Sequence, residues 1–106
     1  MGVPRRWYRS RVKGSYTFTL EGLRNAEYHG ITAAEVWQVL NAERRVIRQL
    51  GERSRVVVAM TAGGRCLAVM VQEEPQDDED GWDVVAAREV PLQDVPGYER
   101  LLRRRS

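Results

Sequence analysis

The Gly63-Gly64 pair limits the fold of this chain more than any other feature. It stands between SRVVVAMT (54–61) and RCLAVMVQ (65–72), two apolar runs rich in β-branched residues. Adjacent glycines take the positive φ angles of a tight turn at no steric cost. The arrangement predicts an antiparallel hairpin pairing 54–61 with 65–72.

The rest of the chain can be read outward from that hairpin. RRVIRQL (44–50), ending at Gly51, and WDVVAAREV (82–90) read as strands on either side of it. SYTFTL (15–20) alternates Tyr16, Phe18 and Leu20 with hydroxyl residues, the period of a half-buried strand. A short helix is expected over 21–28, stopped by Gly30 in a left-handed turn. Thr32-x-x-Glu35 is a capping box for a second helix, with Ile31 as its staple and Val36, Val39 and Leu40 on one face beside Trp37. Pro91 can open a closing helix, which Pro96-Gly97 is expected to interrupt before Tyr98. The fold class is therefore α+β: a small antiparallel β-meander of three or four strands, packed by N-terminal helices and a short C-terminal helix.

At 106 residues the chain has room for one domain. It divides into a basic arm over 1–14 and a single domain over 15–106, with an acidic loop at 73–81 too polar to pack. The single cysteine, Cys66, excludes an internal disulfide and a Cys-based zinc cluster, and its apolar neighbours make it core filler. No stretch approaches the roughly 18 apolar residues of a membrane helix, and the basic N-terminus has no apolar run behind it. The expected location is the cytoplasm, with no membrane partner.

The net charge of +2 conceals an asymmetry. Residues 73–83 hold seven acids and no base, leaving 17 Lys/Arg against eight acids elsewhere. Sixteen of those bases are arginine, whose planar fork grips phosphate in bidentate fashion. An arginine excess can reflect genomic base composition alone. Clusters at both ends (Arg5, Arg6, Arg9, Arg11 and Arg100, Arg103, Arg104, Arg105) fit a binder of nucleic acid or of acidic protein.

His29, the lone histidine, either serves the carbonyl end of its helix or acts as a general acid/base or phosphate contact. Strict alternation puts Arg88 on the side of Trp82, Val84 and Ala86, where it is either paired with an acid such as Glu99 or aimed into a polar cleft. Gly-rich phosphate loops, nucleophile elbows, His-x-x-x-His and calcium-loop spacing are all missing from the sequence. An arginine-rich surface with one imidazole can still cleave RNA without a metal or cofactor. The 2′-OH attacks, arginines stabilise the phosphorane, and a side chain protonates the leaving oxygen.

The stretch NAEYHGITAAEVWQVL resembles the Asn-x-x-x-His-Gly-[Val/Ile]-[Ser/Thr]-x-x-Glu-[Val/Ala] segment of BrnT-type toxins in the RelE/ParE-like group. GRCLAVMV is similar to the family's Gly-Arg-x-Leu strand, DVVAAREV to its final strand ending in Ala-Arg, and Tyr98-Glu99 falls where its closing helix carries a tyrosine. The resemblance covers residues 18–104, and departs from the family at Tyr28 and Glu21, where lysines are usual, and at Thr17-Phe18 in place of Trp-Asp. It implies an mRNA-cleaving toxin of a bacterial type II toxin–antitoxin pair, neutralised by a cognate antitoxin, with homo-oligomerisation left open. By motif position its active-site candidates are His29, Arg65, Arg88 and Tyr98. The alternative is a non-catalytic module binding nucleic acid or protein on the same scaffold.

Overall fold

The computed structural model describes residues 15–73 and 81–103. The basic arm expected over 1–14 lies outside these residues, as does the acidic loop apart from its two ends. Those ends are not loop: Glu73 closes one strand and Gly81 opens the next.

Along the chain come β1 (Ser15–Phe18), α1 (Leu20–Tyr28), α2 (Ala33–Leu40), β2 (Val46–Gln49), β3 (Ser54–Met60), β4 (Cys66–Glu73), β5 (Gly81–Glu89), a 3-10 turn (Leu92–Asp94) and α3 (Val95–Arg103). The strands form one sheet in the order β1-β5-β4-β3-β2. Strands β2 to β5 are an antiparallel meander, and β1 joins the edge of β5 in parallel. The α+β class and its mainly antiparallel sheet are as expected, with the parallel strand added.

The Gly-Gly hairpin forms with Met60 opposite Cys66. Gly64 takes φ +88°, and its N–H donates to the Thr61 carbonyl to close the turn. The expected left-handed stop after α1 is also present, with Gly30 at φ +73°. There the Gly30 N–H donates to the Glu27 carbonyl and the Ile31 N–H to that of Ala26, satisfying carbonyls at the helix end and burying Ile31. Thr32 and Glu35 exchange both bonds of the capping box that starts α2.

Two expectations at the helix starts are corrected. The strand expected over 15–20 ends at Phe18, because the Thr19 hydroxyl accepts from the Gly22 N–H and caps α1. Leu20 therefore begins the helix and stays exposed. Pro96 and Gly97 do not interrupt the closing helix but lie in the first turn of α3, where the N–H that proline lacks has no helical partner to lose.

The two faces of the sheet are covered unequally. Helices α1 and α2 cover one face, where Ala26, Val36, Val39 and Leu40 meet strand residues such as Val57, Leu67, Val69 and Val84. On the opposite face α3 covers one end only, with Val95 and Tyr98 against Val58, Cys66 and Val90. The middle of this second face stays open. Among the described residues no helix is long and apolar enough to cross a membrane.

Candidate nucleic-acid interface

The open face takes its shape from an irregularity in β5. Val71 pairs with Val84, but the next residue back, Met70, pairs with Ala86, so Val85 is an extra residue. Such a bulge reverses the alternation beyond it. Arg88 is thus placed beside Ala68 on the open face, while Trp82, Val84 and Ala87 belong to the core under α1 and α2. This corrects the reading that put Arg88 on the side of Trp82 and Val84. Arg88 is exposed, and among the described residues it has no ion pair with Glu99 or any other acid.

Arg88 lines a hollow of about 320 Å³ together with His29 and Asn25. Its floor is apolar, made by Val56, Ala68, Met70 and Ala86. Strand β1 pairs with β5 only as far as Val84, so the later edge of β5 meets the end of α1 instead. There Asn25 Oδ1 accepts the Ala87 N–H at 3.0 Å, which ties helix to strand beside the hollow. His29 is the exposed C-cap of α1, with the Tyr28 ring edge-on to it at 5.1 Å.

Arg65 is placed elsewhere. It lies on the covered side of the sheet, where one guanidinium nitrogen donates to both Glu35 oxygens at 3.0 and 3.1 Å and to the Gly30 carbonyl at 3.3 Å. The other donates to Glu89 at 3.2 Å. These carboxylates raise its already high pKa, the Glu89 bond first. Arg65 therefore fastens the corner that follows His29 to the residue that follows Arg88, from behind the sheet. Both of its terminal nitrogens are engaged there, and it does not line the hollow with Arg88.

Tyr98 faces the open side of the sheet from α3 and packs on the cluster containing Val58 and Cys66. The Arg48 guanidinium lies 5.8 Å from the centre of its ring. Arg48 is absent from the candidates taken from the sequence, although its place two residues after Val46 gives it the same face of β2. Asn25 is also absent from them, because its role depends on where β1 stops pairing. Cys66 is buried, and burial together with Glu99 and Glu89 pushes its thiol pKa up, so it is filler and not a nucleophile.

The arrangement thus places His29 and Arg88 in one hollow, with Tyr98 bordering the same sheet face and Arg65 behind it. No group of three or more possible metal ligands occurs among the described residues. The sequence matches no model of a known protein family and no curated protein.

Proposed function

We propose that the chain is a metal-independent endoribonuclease, the mRNA-cleaving toxin of a bacterial toxin–antitoxin pair, acting in the cytoplasm. The observation that carries this reading is the Arg88 guanidinium, without an ion pair among the described residues, sharing a hollow with His29, the only imidazole in the chain. In the reaction the 2′-oxygen of RNA attacks the neighbouring phosphorus and the bond to the 5′-oxygen breaks. A 2′,3′-cyclic phosphate and a 5′-hydroxyl result. Arg88 stabilises charge that develops on the phosphorane, and the His29 imidazole carries the proton from the 2′-oxygen to the leaving 5′-oxygen. Tyr98 borders the same face, where it can contact the strand. Arg65 acts as a brace and does not touch substrate. The engagement of Arg65 favours the second reading, a non-catalytic module that binds RNA or the cognate antitoxin on the open face.

Purified protein incubated with mixed-sequence RNA and a chelator separates the two. The nuclease reading expects fragments ending in cyclic phosphate, with Arg88→Ala lowering the rate about 10²–10³-fold. Because Arg88 is exposed and has no ion pair among the described residues, this variant should melt at nearly the wild-type temperature. Bound but uncut RNA would leave the binding module standing in place of the nuclease.

A further inference from the structure

Strand pairing places Arg48, Val56, Met70 and Ala86 in one row on this side of the sheet, and Val46, Val58, Ala68 and Arg88 in the next, where Val58 is buried under α3. Arg48 and Arg88 therefore stand on opposite rims of one apolar floor. Three strand spacings separate their strands, about 14 Å. Both arginines are exposed, and neither has an ion pair among the described residues. Asp94 lines the surface beside Arg48 but does not pair with it. The exposed Arg48 guanidinium lies 5.8 Å from the centre of the Tyr98 ring, which holds it at the rim of this floor.

We propose that Arg48, beside Tyr98, is a second nucleic-acid contact across the sheet from Arg88, and that the trough between them takes a short single strand of RNA. The inference rests on the reading of the protein as an RNA binder, and names the form of RNA and the residue that holds it. Charge complementarity selects a polyanion, since both rims are cationic. The floor selects a single strand over a duplex, because only unpaired bases offer apolar faces to Val56, Ala68, Met70 and Ala86. Phosphates of a stacked strand advance about 3.4 Å each, so the rims span up to about four nucleotides. An exposed guanidinium offers a plane on which a base can stack and an edge that can meet a phosphate.

The test uses the full chain and a fluorescent single-stranded RNA of about eight nucleotides, within the usual site sizes for such surfaces. The probe carries 2′-O-methyl groups throughout, so it cannot form the cyclic product. Affinity is measured by anisotropy over a series of salt concentrations. Arg48→Ala should weaken binding roughly tenfold, the low end of a lost stacking contact, and should reduce the salt slope by about 0.7, one single-strand phosphate. Arg48→Lys should keep the slope and lose part of the affinity. Arg24→Ala, on the exposed side of α1, should bind as wild type does. Equal loss in Arg24→Ala and Arg48→Ala, or equal affinity for a duplex of the same sequence, would overturn the proposal. So would wild-type binding by Arg48→Ala. A protein that binds this probe through Arg48 but never cuts unmodified RNA leaves the subsite in place and ends only the nuclease reading.

Discussion

A methyl group placed on Gly22 would stand 2.0 Å from the Val84 carbonyl oxygen. That oxygen belongs to backbone and cannot swing aside as a flexible side chain would. It is also held by the Thr19 hydroxyl, which donates to it at 3.0 Å while accepting from the Gly22 N–H. Glycine is therefore required here to let α1 lie against β5, not for any unusual φ. Gly22→Ala should cost about 3 kcal/mol, the upper part of the overpacking range, measured by chemical denaturation. Glu35 makes a second prediction. The Thr32 backbone N–H first, and Arg65 after it, hold its carboxyl below the ordinary value of 4.5 despite some desolvation. A carboxyl with a lowered folded pKa stabilises fully above its unfolded value, and that contribution is lost as pH falls through the folded one. Stability should accordingly decline between about pH 5 and pH 3, and Glu35→Gln should flatten that part of the profile. Melting curves across this range provide the check.

At the level of elements, the later edge of β5 depends on one side chain. Asn25→Ala would leave the buried Ala87 N–H without its acceptor and should destabilise the domain by about 1–3 kcal/mol. Asn25→Asp should recover much of the loss, since it retains an acceptor oxygen. Hydrogen exchange at the Ala87 amide should accelerate in the first variant and not in the second. The origin of this dependence shows what the sequence can and cannot reveal. The Gly64 turn, the Gly30 stop and the Thr32–Glu35 box were legible because their chemistry is local, whereas the Thr19 cap was read as strand because it continues the alternation of Tyr16 and Phe18. The bulge at Val85 was not, because nothing in DVVAARE distinguishes a regular strand from one carrying an extra residue. That single residue decided the face of Arg88. Likewise, the exclusion of Arg65 from the site depends on Glu35 and Glu89, which lie 30 and 24 residues away in sequence. Tyr98 was named from motif position alone, whereas the Arg48 beside it required the register of β2 against β3.

Across the whole molecule, the two sides of the sheet differ: α1 and α2 cover one, and the middle of the other is open. Substitutions under α1 and α2 should act mainly through stability, and, on the proposed function, those of Arg48 and Arg88 mainly through binding. The parallel pairing of β1 with β5 has a further consequence, which concerns the order in which the chain is made. Thr19 and Val84 are in contact although 65 positions separate them. Proteins are synthesised from the N-terminus at about 5–20 residues per second. β1 and the helix that rests on Val84 thus leave the ribosome several seconds before the strand they need. Until then the Gly63-Gly64 hairpin can close alone, being built from near neighbours, but α1 has no backbone to lie against. A fragment ending at Glu73 should therefore remain without cooperative structure, and a peptide of residues 81–103 added in trans should restore the fold. Sharp, dispersed amide resonances from the fragment alone would show that assembly does not wait for β5. Otherwise β1 and α1, made before the other described elements, are among the last to settle, and until β5 emerges the apolar side of α1 lacks the strand it packs on.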